Sequence, residues 1–403
     1  MTKIAVLGYG TVGSGVVEVL ETNRESIARK TGDVIDVKYV LDLRDFPGDP
    51  IQEKIVHDYD VILKDDEVRI VVEVMGGVEP ANTYVRQALM AGKNVATSNK
   101  ALVARHGAEL IAIARENSVN FMFEASVGGG IPIIRPLLQS LTADEIVEIT
   151  GILNGTTNYM LTKMSEDGLD YDAVLKTAQD KGYAERNPEA DVEGYDACRK
   201  IAILASLAYG HQVDFEDIYT EGITKITETD FEYARKLGTV IKLLATCRRQ
   251  GEQVFAMVSP VMIGADHPLF NVKGVFNAIF VKGNMLGDAM FYGRGAGKLP
   301  TASAVVADVV EEVKHIHTNI RINWSAQKLC LADVKEASHC FFVRVSGSPE
   351  EMGARVRELF GEVTLLKVVD GEFGFVTEAM EESCFDAKIK QLDGVRTRIR
   401  GNF

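Results

Sequence analysis

Lys3-Ile4-Ala5-Val6-Leu7 is a compact apolar strand that runs straight into Gly8-Tyr9-Gly10-Thr11-Val12-Gly13, after which a helical pattern begins. Strand, glycine turn and helix in that order form the dinucleotide fingerprint, and each glycine has a physical task. Gly8 allows a tight turn off the strand. Gly10 lets backbone amides approach a pyrophosphate. Gly13 lets the new helix pack close to the sheet with its positive end toward the phosphates. A G-x-G-x-x-G is weak alone. Its place between a strand and a helix, at the start of the chain, separates it from an ordinary glycine turn.

A chain of 403 residues has room for two or three domains, each with its own core. The formal net charge of −14 argues against nucleic acid or an anionic membrane as partner, since both would repel it. No apolar run approaches the eighteen residues a membrane span needs, and the first strand begins too early to leave room for a signal peptide. Cys198, Cys247, Cys330, Cys340 and Cys384 are scattered without a C-x-x-C, the usage of a reduced cytoplasmic protein.

The first third alternates strands with amphipathic helices. Strands are expected at 34–43, 70–75, 94–97 and 121–123, with helices from Pro80 to Gly92 and from Lys100 to about Asn117. Such alternation predicts an α/β fold: a Rossmann-type doubly wound parallel sheet with helices on both faces. The character changes near Ser126-Val127-Gly128-Gly129-Gly130-Ile131-Pro132. Residues 133–300 read as a second, α+β domain, with several helices and then strands near 254–263, Phe280 and 285–291. The loop Gly293-Arg294-Gly295-Ala296-Gly297 leads to a helix around 301–320 that completes the first domain, residues 1–132. From 339 to 403 the pattern is β-α-β-β-α-β, a ferredoxin-like plan with Asp370-Gly371 as hairpin turn chemistry. This tail holds enough apolar residues for a small core of its own, so the chemistry is expected to reside before His339.

The substrate signal lies between Gly182 and Lys200, a stretch dense in acids that runs into the apolar helix Ile201-Ala202-Ile203-Leu204-Ala205. Asp196 and Lys200 are four apart and share one helical face. Such spacing is usually a solvated ion pair. At the head of so apolar a helix it also fits a partly buried pair whose lysine donates a proton to a carbonyl being reduced. Glu185 and Asp191 suit a substrate that carries an ammonium group. From the residues alone both readings stand.

In chain order, Gly8 to Gly13, Thr97-Ser98-Asn99-Lys100, Glu124-Ala125-Ser126-Val127-Gly128-Gly129-Gly130-Ile131-Pro132, Asn154-Gly155-Thr156-Thr157-Asn158-Tyr159 and Glu185 to Lys200 together resemble the homoserine dehydrogenase family over essentially the whole length. The resemblance implies NAD(P)-dependent interconversion of L-aspartate 4-semialdehyde and L-homoserine, on the branch towards threonine and methionine. It also implies roles. Lys200 is then the general acid in the reductive direction, Asp196 orients it, and Lys100 lies between cofactor and substrate. Glu185, Asp191, Gly155 and Thr156 bind the amino acid. Gly8, Tyr9, Gly10, Thr11, Val12, Gly13, Arg44, Ser98, Lys100, Gly295 and Gly297 contact the cofactor. Glu124 with the carbonyls of Val127, Gly129 and Ile131 corresponds to a structural monovalent cation site, sodium in chemical character; an all-oxygen shell suits a hard cation, and a plain glycine hinge is the alternative.

Two positions depart from pattern. An acid after the second strand binds the ribose hydroxyls of NAD, whereas an arginine accommodates the 2′-phosphate of NADP. Asp42 and Arg44 both occupy that region, and the family's habit tips the expectation toward NADP. The tail resembles a ligand-sensing ACT domain, which implies threonine as a possible effector, yet Ser346-Gly347-Ser348-Pro349 replaces the usual Asp-x-Pro-Gly loop. A homodimer or homotetramer is expected from the family. The competing readings are a related amino- or hydroxy-acid dehydrogenase and a non-catalytic amino-acid sensor; lysines at both expected positions argue against the sensor.

Overall fold

The computed structural model describes residues 1–403 and divides them into two units. The first comprises Met1–Glu145, Ala202–Phe215 and Phe291–Leu329. The second comprises Ile146–Ile201, Glu216–Met290 and Cys330–Phe403.

The first unit opens with β1 (Thr2–Leu7), α1 (Thr11–Thr22), α2 (Arg24–Thr31), β2 (Ile35–Leu41), β3 (Ile55–Val56) and α3 (Tyr59–Leu63). It continues through β4 (Val68–Glu73), α4 (Ala81–Met90), β5 (Asn94–Thr97), α5 (Lys100–Glu116) and β6 (Phe121–Met122). The six strands pair in the order β3-β2-β1-β4-β5-β6, all parallel. Ile4 to Leu7 and Ile70 to Val72 are fully buried, because helices cover both faces and each successive side chain meets one of them. The order reverses between β1 and β4, the switch point where such sheets bind ligands. Later in the chain α11 (Lys298–Lys314) contributes Ala302, Val305, Val306 and Val309 to the core formed by Ile4, Val6, Val16 and Leu20. Gly15 of α1 permits this approach, since a Cβ there would stand 3.0 Å from the Ala302 Cβ.

The second unit begins with β7 (Ile146–Ile152), α6 (Gly155–Asp167), α7 (Tyr171–Asp180), α8 (Glu189–Val192) and α9 (Tyr195–Tyr209), the last counted here up to Ile201. The short strand β8 (His211–Gln212) belongs to the first unit; after β9 (Tyr219–Thr220) the second unit adds α10 (Glu228–Lys236), β10 (Val240–Gln250), β11 (Gln253–Ile263), β12 (Phe276–Gly283) and β13 (Gly287–Arg294), the last up to Met290. Past β14 (Ser325–Lys328) the tail supplies β15 (Ser338–Ser346), α12 (Pro349–Phe360), β16 (Val363–Leu366), β17 (Glu372–Thr377), β18 (Met380–Glu381), α13 (Glu382–Ile389) and β19 (Val395–Asn402). Sequence reading missed β10. Val240-Ile241-Lys242-Leu243-Leu244-Ala245 mixes strand and helix formers, and its pairing with β11 and β7 decides the outcome.

The tail has its own core of Phe341, Val343, Phe360, Phe373, Phe375 and Phe385. Its sheet is nonetheless continuous with the rest of the unit through parallel pairing of β19 with β11. Arg344 adds a charged tie: it grips Glu372 with two hydrogen bonds (2.8 and 3.0 Å) and donates to Asp230 Oδ1 at 2.8 Å.

Candidate functional site

The fingerprint turn is built as its glycines require. Gly8 sits at φ +97° and donates to the Leu41 carbonyl at 2.8 Å. A Cβ on Gly13 would lie 1.9 Å from the Gly8 carbonyl oxygen, so no other residue fits there without moving backbone. Gly10 is the opposite case: nothing stands within 4 Å of where its Cβ would be, and it caps α1 with no side-chain bond to the first-turn amides. An open cradle under uncapped helix amides fits a pyrophosphate. Thr11 is exposed and Val12 half-buried beside it.

Asp42 and Arg44 meet at the same turn. Asp42 accepts the Tyr9 amide at 2.8 Å, and Arg44 donates to both its oxygens, each at 2.9 Å. The Arg44 guanidinium holds the Asp42 carboxyl well below the usual carboxylate range. The guanidinium itself is exposed and lies over Phe46, 5.1 Å from the ring centroid. Asp42 is thus engaged by protein donors, while Arg44 presents its charge outward.

Lys100 is the first residue of α5, just past the carboxyl end of β5. Asn99 caps that helix by accepting the Leu102 amide at 3.1 Å and donates to the Gly77 carbonyl at 2.5 Å. Beneath both loops lies Glu73, fully buried, which accepts the Thr97 hydroxyl at 2.6 Å and the Met75 amide at 2.8 Å. Burial pushes the Glu73 carboxyl up. Ser98 joins this group through its amide, which reaches the Glu73 carbonyl. Sequence reading passed over Glu73, although a lone acid inside the apolar run Ile70 to Met75 was the available signal.

Glu124, expected at a cation site, is buried and tied to backbone amides. Its carboxylate accepts the amides of Ile133, Ile134 and Arg135 at 2.6, 2.8 and 2.7 Å. Its own amide donates to Asp308 Oδ2, and Asp308 Oδ1 accepts Arg135 Nη2 at 2.6 Å. Gly129, at φ +57°, packs on the late glycine loop so tightly that a Cβ would stand 2.2 Å from the Gly295 carbonyl oxygen. Two loops expected to bind different ligands are therefore in direct contact; Gly297, at φ +127°, is exposed on the second of them.

One turn beyond Asp308, Glu312 is fully buried and neither carboxylate oxygen meets a hydrogen-bond donor. Burial first, and the nearby Asp308 charge second, push its carboxyl well above the ordinary range. The folded chain then keeps a proton that the unfolded chain releases above about 4.3. Glu312 therefore stabilises the fold at acid pH and loses that contribution as pH rises through its folded value. Glu312→Gln removes the ionisation, so the variant is expected to gain about 1–3 kcal/mol over the natural chain near neutrality and less at pH 5. Urea titrations at both pH values check this; an equal difference at the two would refute it.

In the second unit the Asp196–Lys200 pair is buried rather than a surface bridge: Asp196 is 3 % exposed and Lys200 8 %. Lys200 Nζ donates to Asp196 Oδ2 at 2.7 Å and to the Leu153 carbonyl at 2.8 Å. Asn154, which caps α6, spans two of the expected acids, donating to Asp196 Oδ2 at 2.9 Å and to Asp191 Oδ1 at 2.7 Å. This asparagine was not among the expected site residues, although it opens the family-like stretch Asn154 to Tyr159. Thr156 donates to the Tyr183 carbonyl at 2.6 Å, and Gly155 lies against the Val275 carbonyl. Glu185 is exposed, on a turn held by its own carbonyl, which accepts from Gln179 Nε2 at 3.1 Å. Asp191, Asp196, Lys200 and Asn154 form one connected group; Glu185 stands outside it.

An open fingerprint turn on a parallel sheet, together with a buried lysine held by an aspartate, defines a nicotinamide-dependent oxidoreductase. Two family models cover most of the chain: one described as "Homoserine dehydrogenase, NAD binding domain" over residues 8–124, the other as "Homoserine dehydrogenase" over residues 132–310. The chain belongs to the homoserine dehydrogenase family, NAD(P)-dependent enzymes that interconvert L-aspartate 4-semialdehyde and L-homoserine. It is 48 % identical over 321 residues to the enzyme of Synechocystis sp. (77 % of this chain, 73 % of that one) and 43 % over 328 residues to that of Bacillus subtilis (80 % and 75 %). A crystal structure of a homoserine dehydrogenase from Thiobacillus denitrificans superposes with a TM-score of 0.91 at 36 % identity, covering 99 % of this chain and 98 % of that one. A hyperthermophilic archaeal homoserine dehydrogenase in complex with NADPH superposes at 0.65 and 27 % identity, covering 77 % of this chain and 97 % of its own.

Proposed function

We propose that this dehydrogenase uses NADPH and that Lys200 is its general acid. The observation that carries this is the buried Lys200 ammonium, fixed on one side by Asp196 and on the other by the Leu153 carbonyl. Held so, it keeps a proton at Nζ for the substrate oxygen, and Asp196 sets its direction. With its pyrophosphate held at the fingerprint turn, NADPH would supply the hydride from its nicotinamide. Lys100 polarises the carbonyl, and Asp191, Glu185, Gly155 and Thr156 hold the amino-acid end, with Asn154 tying Asp191 to the acid–lysine pair. In the opposite direction Lys200 accepts the hydroxyl proton.

The cofactor choice is supported by Arg44, whose exposed guanidinium suits a 2′-phosphate, and by the NADPH bound to the archaeal relative. Arg44→Ala is expected to weaken NADPH binding by roughly ten- to a hundredfold. NADH binding should hold or improve, because Asp42 is then released toward the ribose hydroxyls. Equal losses for both cofactors, measured by fluorescence titration, would remove Arg44 from selectivity.

We further assign a sodium-like cation to the carbonyls of Val127, Gly129 and Ile131, with Glu124 as its nearest charge. Three amides already occupy the Glu124 carboxylate, so its part is electrostatic more than coordinating. The tail is read as an ACT-like regulatory domain, with threonine as effector, in a cytoplasmic homodimer or homotetramer. The two family models end at residue 310, before the tail begins, which supports chemistry that resides ahead of it. Absorbance at the nicotinamide band with aspartate semialdehyde tests the whole reading, with NADPH or NADH, with and without threonine, and in sodium or caesium buffer. Faster turnover with NADH, or no turnover at all, would reject it.

A further inference from the structure

Lys242 lies on β10 and is 3 % exposed, yet no carboxylate pairs with it. Its ammonium donates to Asn158 Oδ1 at 3.1 Å and to the Val272 carbonyl. Burying a lysine against neutral oxygens is costly and is sustained only where the geometry around it is fixed. Here that geometry joins two pieces. Asn158 belongs to the first turns of α6, the helix that begins with Gly155 and Thr156. Val272 opens the loop that runs to β12. Asn158 Nδ2 returns the tie by donating to the Phe276 carbonyl at 2.9 Å, and the Gly274 amide donates to Thr162 Oγ1 at 3.1 Å. Between these clamps the loop presses on Gly155, where a Cβ would stand 2.9 Å from the Val275 carbonyl oxygen and 3.4 Å from Asn277 Oδ1.

We infer that Lys242 is a positioning residue for the substrate: through Asn158 and Val272 it locks α6 against the 272–276 loop and so fixes Gly155 and Thr156. This rests on the proposed reading that Gly155 and Thr156 bind the amino-acid end. Hydrogen bonds from a charged donor are about twice as strong as neutral ones, so the lock tightens when Lys242 is protonated. Burial pulls its ammonium down to about 8, with Lys273 adding to that and Glu166 opposing it. Lys273 and Glu166 are the charged groups that act on it, and they pair with each other at 2.8 Å on the exposed side.

The test is steady-state oxidation of L-homoserine by the full chain from pH 7 to 9.5. Lys242→Gln is expected to raise the homoserine KM about tenfold at pH 7, with kcat and the KM for NADP changed less than twofold. The KM ratio of variant to natural chain should fall toward one by pH 9.5, because the natural lysine has then lost its charge as well. A purely structural role predicts a ratio that does not move with pH, and that result overturns the inference, as does an unchanged KM. If Lys242→Gln is insoluble, Lys242→Arg decides: its charge does not titrate here, so the ratio of natural to variant KM should climb between pH 7 and 9.5, and a constant ratio refutes the idea. Gly155→Ala separates the two levels. If it leaves the homoserine KM unchanged, the substrate reading fails; if it raises KM while the Lys242 variants do not, only the inference fails.

Discussion

Lys200→Ala is expected to lower kcat by about a hundred- to ten-thousand-fold while the chain stays folded and binds NADPH. The lysine is buried, its ammonium held at 2.7 Å by Asp196 and at 2.8 Å by the Leu153 carbonyl, and alanine removes that ammonium. Asp196 would lose the Lys200 ammonium while still buried, so stability has to be measured alongside activity. Asp196→Asn should be milder. It keeps the donor and loses the charge that orients it, so kcat should fall by less than in Lys200→Ala. A Lys200→Ala enzyme with near-normal kcat would end the assignment of this residue.

The second large effect is expected at the fingerprint. Gly13→Ala places a methyl group 1.9 Å from the Gly8 carbonyl oxygen, and both partners are backbone of the turn that must cradle the pyrophosphate. Displacing that turn by about an ångström should cost about a hundredfold in cofactor affinity. Gly10→Ala provides the contrast. With nothing within 4 Å of its Cβ, the unliganded chain should keep its melting temperature, and the loss should appear only when cofactor is titrated. If Gly13→Ala bound NADPH normally, or if Gly10→Ala destabilised the unliganded chain, the cradle would not be the one described.

Much of the first unit was legible because its signals are local. Gly8, Gly10 and Gly13 sit within six residues, and the apolar runs at 4–7 and 70–72 each lie on one strand. The i, i+4 spacing of Asp196 and Lys200 likewise put them on one face of a helix. Whether that face was wet or buried was not legible, because burial depends on the Leu153 and Asn154 turn, which lies more than forty residues earlier. Glu124 shows the same limit: its motif was recognisable, but its link to Asp308 spans 184 residues. The strand Val240–Gln250 was missed because its residues suit helix as well as strand, and with it went Lys242, whose partners lie 84 and 30 residues away.

The sequence by itself determined the parallel sheet, the dinucleotide turn, the family and the order of its motifs, since each of these is written in short-range spacing. Only the tertiary structure decided which charges are buried and what they touch. It engaged Asp42 with Arg44, closed the Glu124 carboxylate on three amides, joined Asp191, Asn154, Asp196 and Lys200 into one group, and ran the tail's strands into the second unit's sheet. For the Asp191, Asn154, Asp196 and Lys200 group the physical reason is burial. The free energy of a buried polar group is set by its desolvation and by the partners that offset it, and those partners arrive from distant segments that only the folded chain brings together.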